Sequence, residues 1–319
     1  NKLKEMFLLD EETAKGINIS INDSESKILE KFYEAEAKKT AHVDASIKAS
    51  IDKLDELDTK SENYPELLKQ EVEKLVKVIP LQNKTSLTHY VARRKLVLDL
   101  FQKILDRKLQ TQIANKANYD EALIHNLLFQ QQSTNSDTSD LWIINEDFIY
   151  FKGSSEKQLS KLEIDGKKVF KSTFTDEENK YLHSLGENRK IKRPDVLLFP
   201  DEGKCIIIEF KTPETNIAEH LTQINLYSSL IRNYSEDNFQ ITTFYGYLIG
   251  ESIEPNDVMG RVSSFEYSYH LDYLFKPSEK VKGFNGKPDG SIYTEVIKYS
   301  TLLERARRRN KIFIDKLNS

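Results

Sequence analysis

Arg193-Pro194-Asp195-Val196-Leu197-Leu198-Phe199, followed after a short break by Cys205-Ile206-Ile207-Ile208-Glu209-Phe210-Lys211, decides the reading of this 319-residue chain. An Asp heads the first apolar run, and a Glu and a Lys stand two apart at the end of the second. Asp201-Glu202-Gly203 between them predicts a tight turn, because glycine reaches positive φ cheaply. Two β-rich runs joined in this way predict a hairpin. Side chains alternate across a strand, so Cys205, Ile207, Glu209 and Lys211 share one face, and Ile206, Ile208 and Phe210 the other. Two carboxylates and an ammonium then meet at one end of a sheet. Hard divalent cations choose carboxylate oxygens. A metal ion held there polarises a phosphoryl oxygen and favours hydroxide formation from bound water. A neighbouring Lys orients that water or offsets charge developing on the phosphate. Asp195, Glu209 and Lys211 supply this minimal set.

Pro194-Asp195, then Glu209-Phe210-Lys211 after a hydrophobic run, resembles the PD-(D/E)xK nuclease superfamily. Gln223-Ile224-Asn225-Leu226-Tyr227, in the next predicted helix, is similar to the QxxxY element of many of its branches. Upstream, Tyr119-Asp120-Glu121 opens a predicted helix that carries an acid where the superfamily often places another metal-associated Glu. The resemblance spans roughly residues 119–250 and keeps the order of these elements. Ser139-Asp140-Leu141-Trp142 and Arg308-Arg309-Asn310-Lys311-Ile312-Phe313 look closest to a nuclease-like domain found at the C-terminal end of some bacterial GHKL-type ATPases of phage defence.

The resemblance implies a nuclease that uses Mg²⁺ (or Mn²⁺) to hydrolyse DNA phosphodiesters, in anti-phage defence or DNA processing. Asp195 and Glu209 would bind the metal, with Glu121 as a third carboxylate. Lys211 would orient water or stabilise the transition state, and Gln223 and Tyr227 would position these groups or the backbone phosphate. It also implies an ATPase domain or subunit that this chain does not encode. Inactive copies of the fold exist, so the competing reading is a catalytically inactive nucleic-acid-binding or assembly domain. Gln223 and Tyr227 also fit as a surface Gln and a boundary Tyr, and His125 reads as a packing residue rather than a ligand.

The pattern outside this segment predicts two domains. Residues 1–116 read as a helical scaffold, connector or oligomerisation region, and 117–319 as the nuclease-like domain with a basic C-terminal helix. Ser24 is a candidate cap ahead of Ile28, Leu29, Phe32 and Tyr33, and Val43, Ile47, Ile51, Leu54 and Leu57 form another stripe. Pro65 predicts a helix start and Pro80 its end, with a long helix following from about Thr88 to Ile113. Beyond 119, the spacing predicts a helix over 119–130 and strands at 141–144 and 148–151. A hairpin at Asp165-Gly166 follows, then the two motif strands, a helix over 215–233, a strand over 241–249 and a final helix near 292–317. The fold class is therefore α/β: a helical N-terminal region and a mixed central sheet flanked by helices.

Composition narrows the function classes. The net charge is −4, from 47 basic and 51 acidic residues, so bulk electrostatics do not draw the chain to DNA. Local basic patches must do so. Lys190, Lys192 and Arg193 enter the Asp195 strand, and Arg305, Arg308 and Arg309 stand near the C-terminus. A run of charge is also the ordinary make-up of a solvated face, and cations in a helix's last turns complement its dipole. One cysteine, Cys205, excludes a disulfide framework and cysteine zinc sites and fits a reducing, cytoplasmic setting. No apolar run approaches a membrane span, and no secretory signal is visible. Walker-type and GxGxxG phosphate loops and a Gly-x-Ser-x-Gly elbow are absent from the sequence. Asn1 in place of Met fits a piece of a longer protein.

Overall fold

The computed structural model describes residues 2–9, 11–57, 61, 63–109, 112, 119–136, 139–184, 193–200 and 202–318. They group into two compact units, Asn1–Val97 with Arg309–Ser319, and Leu98–Arg308. The helical N-terminal region holds α1 (Lys2–Phe7), α2 (Glu11–Gly16), α3 (Glu25–Asp55) and α4 (Tyr64–Leu105). Ser24 caps α3, its hydroxyl accepting from Lys27 N at 3.3 Å. Both apolar stripes, apart from Leu57, belong to this one helix.

Pro80 does not end a helix, contrary to expectation; α4 runs through it. A proline removes one donor and crowds the preceding turn, at a cost of about 3 kcal/mol. Helix-forming sequence on both sides outweighs that cost here. The same helix stops at Leu105 rather than Ile113. Arg107 turns left-handed at φ 53°. Lys108 N then donates to Lys103 O (2.9 Å) and Arg107 N to Ile104 O (3.0 Å), closing the last turn. Glycine is the usual residue at such a stop, and an Arg there leaves no trace in the sequence.

The second unit is built on a mixed sheet, seven-stranded among the described residues. Its order is β1 (Lys152–Ser155), β4 (Val196–Phe199), β5 (Lys204–Phe210), β6 (Thr243–Gly250), β9 (Gly290–Lys298), β8 (Tyr273–Val281) and β7 (Glu266–Ser268). β5, β6 and β9 are parallel, and the remaining pairs are antiparallel. The expected central hairpin forms, with Val196 opposite Ile208 and Leu198 opposite Ile206. Glu202 and Gly203 both take positive φ in its turn, 71° and 68°; Asp201 lies outside the described residues. A side chain at position 203 would also meet Gln240 O at 2.7 Å. β2 (Glu163–Ile164) and β3 (Lys167–Lys168) pair separately around Asp165-Gly166, as the turn signal predicts.

Two expectations fail in this unit. Leu141–Ile143 and Glu146–Tyr150 are 3-10 turns, not strands. Asn145 accepts from Asp147 N at 3.0 Å, and such local side-chain bonds compete with a ladder. Leu141, Trp142 and Ile143 are buried in succession, which a turn permits and an alternating strand does not. The first residues of the predicted final helix form β9 instead, and α9 begins only at Tyr299 (Tyr299–Asn318). Ile292, Thr294 and Val296 are buried at period two, and pairing on both sides overrides the local helical reading.

Helices flank the sheet. α5 (Tyr119–Leu128), α6 (Asp176–Ser184), α7 (Gln223–Tyr234) and α8 (Pro255–Arg261) complete the unit, and a 3-10 turn at Ile217–Glu219 precedes α7. α7 buries Ile224, Tyr227, Leu230 and Ile231 in one core with Cys205 and Ile207. Each large apolar side chain so buried contributes roughly 1.5–3 kcal/mol. On the opposite face, the His125 ring of α5 meets Phe210 edge-on at 5.2 Å. Among the described residues no helix is long and apolar enough to cross a membrane.

Two glycines on β6 let the α7 layer approach. A Cβ at Gly246 would stand 2.4 Å from Ile224 Cγ2, and one at Gly250 would stand 2.5 Å from Ile217 Cδ1. Gly246→Ala is therefore expected to destabilise the protein by about 1–3 kcal/mol, as overpacking does. Chemical denaturation checks this, and adding Ile224→Ala should recover part of the loss. A Gly246→Ala protein as stable as the parent would show that the helix is not seated on this glycine.

Candidate active site

The site grows from the hairpin register. With Val196 opposite Ile208, Asp195 stands just before β4 across from Glu209 near the end of β5. Asp195 N donates to Glu209 Oε1 at 3.3 Å, and Phe210 N donates to Asp195 Oδ2 at 2.7 Å. The two carboxylates are thus laced together through main-chain amides. Glu209 shares its strand face with Cys205 and Ile207, as alternation requires, and is 1% exposed. Lys211 turns back along the same face, its Nζ 3.1 Å from Glu209 Oε2.

α7 closes the cluster. Gln223 Nε2 donates to Glu209 Oε2 at 2.7 Å and contacts Tyr227 OH at 3.2 Å. Their four-residue spacing puts both on one helix face. Tyr227 is buried, not a boundary residue, while Gln223 is half-buried. Asp195 and Lys211 are also half-buried, so the cluster has an exposed side.

Two residues that the motif did not indicate hold this arrangement. His125 is buried: Nδ1 meets Phe129 O at 2.9 Å, and Nε2 meets Asp195 O at 3.2 Å and Ser155 Oγ at 3.3 Å. It is a packing residue, as the sequence suggested, but one that grips the Asp195 main chain. Tyr299, fully buried at the start of α9, donates from its hydroxyl to Lys211 O (2.8 Å) and accepts from Lys211 N (3.2 Å). Lys211 N also donates to Ile249 O at 2.9 Å.

Electrostatics follow from burial. Desolvation pushes Glu209 up to about 8, the Asp195 charge adds to this, and Lys211 opposes it. Desolvation likewise pushes Asp195 up to about 6, against the Lys211 charge and the Phe210 amide. The two carboxyls titrate as a pair. Burial and the Glu209 charge raise the Tyr227 hydroxyl, which stays protonated.

Glu121 is half-buried on α5 and outside this hydrogen-bonded cluster, reaching Asp195 only through its charge. Among the described residues no three His, Cys, Asp or Glu side chains are gathered for a metal ion. The carboxylates that could hold a divalent cation are therefore the Asp195–Glu209 pair. Its oxygen chemistry and raised titration suit a hard cation, whose charge would offset the mutual repulsion.

The basic residues are dispersed. Arg193 is exposed, while Lys190 and Lys192 lie outside the described residues. Arg305 is committed to structure, donating to Leu271 O at 2.7 Å and lying 4.8 Å over the Tyr273 ring. Arg308 is exposed and pairs with Glu304 one turn earlier, and Arg309 is half-buried. No family model matches the chain, and neither a curated protein nor a solved structure is significantly similar to it.

Proposed function

We propose that the chain is a Mg²⁺- or Mn²⁺-dependent nuclease of the PD-(D/E)xK type, hydrolysing DNA phosphodiester bonds. The observation that carries this reading is the meeting of Asp195, Glu209 and Lys211 at one end of the hairpin, with Gln223 and Tyr227 closing on Glu209. Asp195 and Glu209 would hold the cation, and Glu121 would add its charge from α5. When bound, the metal supplies Lewis-acid activation of the phosphoryl group and of a water.

The chain's own groups have distinct tasks in this reading. Lys211, held by Glu209, lies where an ammonium can orient the attacking water and offset charge on the phosphate. Gln223 bonds the same Glu209 oxygen that Lys211 holds. Tyr299 and His125 hold the main chain on either side of the reacting groups. Arg193 and Arg308 are exposed cations suited to the DNA backbone. An ATPase partner, an N-terminal helical assembly surface and a role in anti-phage defence belong to the same proposal.

One observation favours the competing reading, a nucleic-acid-binding or assembly domain without catalysis. Glu209 already receives bonds from Asp195 N, Lys211 and Gln223, which is also how a structural buried carboxylate is satisfied. Cleavage of supercoiled plasmid by the whole chain, with Mg²⁺, Mn²⁺ or EDTA, separates the two. Metal-dependent nicking or linearisation is expected. Lys211→Met should lower its rate by roughly a hundredfold and leave Mn²⁺ binding, followed by calorimetry, within a few-fold. DNA binding with no metal-dependent cleavage would establish the non-catalytic reading.

A further inference from the structure

The other edge of the same sheet carries a cavity of about 490 Å³. It lies where β6 and β9 begin and α7 ends, lined by Thr242, Pro288 and Arg232 among others. Because β5, β6 and β9 run parallel, this edge is a strand length away from Glu209 and Lys211. Seven residues of β5 separate the two edges by about 20 Å.

Three cations face this cavity: Lys171, Arg232 and Lys287. Arg232 is 5% exposed. Its Nε and Nη2 both donate to Pro288 O, at 3.0 and 2.6 Å, while Nη1 has no partner among the described residues. The guanidinium thus keeps one nitrogen, open to solvent, for an acceptor beside the cavity. Lys287 Nζ donates to Ser235 O at 2.9 Å, and Lys171 Nζ lies 3.4 Å from Glu178.

Three carboxylates, Glu178, Glu236 and Asp237, share the lining with these cations. Glu178 is bound up in the helix start of α6, accepting from Thr175 N at 2.9 Å. Asp237 is 3.5 Å from Lys287, but its side chain is 91% exposed and screened by water. Glu236 is half-buried and forms no ion pair among the described residues. Burial and the charges of Lys171 and Arg232 lower Lys287 against the pull of Asp237. Arg232 is thus the cation of this lining that has no carboxylate partner among the described residues.

We propose that this cavity binds a small phosphate monoester or oligophosphate, with Arg232, Lys171 and Lys287 as its anion-binding side chains. A guanidinium already fixed through two of its nitrogens presents the third in a set direction, which suits a phosphate oxygen. The volume matches small-molecule sites of roughly 300–1,000 Å³. The site is independent of the nuclease proposal, sharing no side chain with the carboxylate cluster.

Calorimetric titration of the full chain in EDTA, with inorganic phosphate, pyrophosphate and adenosine monophosphate in turn, tests this. EDTA removes any route through a metal at the carboxylates. One-to-one binding below millimolar is expected for at least one probe. Lys287→Gln and Lys171→Gln, tested separately in case one impairs folding, should each weaken it tenfold or more. Lys48→Gln, which removes an exposed cation from α3, should leave it unchanged. Tighter adenosine monophosphate supports a monoester ligand, and tighter pyrophosphate an oligophosphate. No heat with any probe, binding unaltered in both lysine variants, or equal weakening by Lys48→Gln would overturn the assignment.

Discussion

Asp195→Asn and Glu209→Gln are each expected to abolish the proposed metal-dependent DNA cleavage, with a loss of roughly a thousandfold or more. Several kcal/mol of transition-state stabilisation are attributable to a bound metal, and about 1.4 kcal/mol corresponds to each tenfold in rate. Each substitution keeps the side-chain shape but would remove a charged ligand from a set that, among the described residues, has two closely joined members. Plasmid cleavage over a range of Mn²⁺ concentrations is the measurement. If either variant cleaves at the parental rate, the carboxylate pair is not the metal site.

The second large effect is on stability, and it runs opposite to the usual one for carboxylates. Both acids have folded-state values above their ordinary range, about 6 for Asp195 and about 8 for Glu209. The folded protein therefore holds more protons than the unfolded chain from about pH 4.5 to about pH 8, and the metal-free protein loses stability as pH rises through that window. The loss across that window is of the order of several kcal/mol for the pair. Glu209→Gln should flatten this slope, leaving the variant more stable than the parent at pH 8.5 relative to pH 5.5. Melting in EDTA at both values reads the difference. Mn²⁺ should stabilise the parent more at the higher pH, because the metal competes with the protons. A parent whose stability rises between pH 5.5 and 8.5 in EDTA would contradict these shifts.

Local pattern made the hairpin and its facing legible. Asp195, Glu209 and Lys211 lie on adjoining elements with a glycine turn between them, and period two settles which side each takes. Gln223 and Tyr227 were legible because a helix aligns residues four apart. His125 and Tyr299 carried no comparable sign. Their bonds to the site cross 70 and 88 residues, and only the folded sheet makes them neighbours. Residues 292–298 misled for the same reason, since pairing on both sides made them a strand. Pro80 misled in the other direction: a local breaker was overridden by the helix around it.

The grip of His125 on Asp195 is through the carbonyl oxygen, and Asp195 N is tied to Glu209, so the main chain at this position has two anchors besides the bond its carboxylate accepts from Phe210 N, which an amide oxygen can also accept. The side chain can be exchanged while the scaffold beneath it stays in register. The Asp195→Asn protein is consequently suited to a use beyond a loss-of-function control. It should serve as bait, retaining an uncut polynucleotide long enough for crosslinking and sequencing to reveal which nucleic acid the protein meets in the cell.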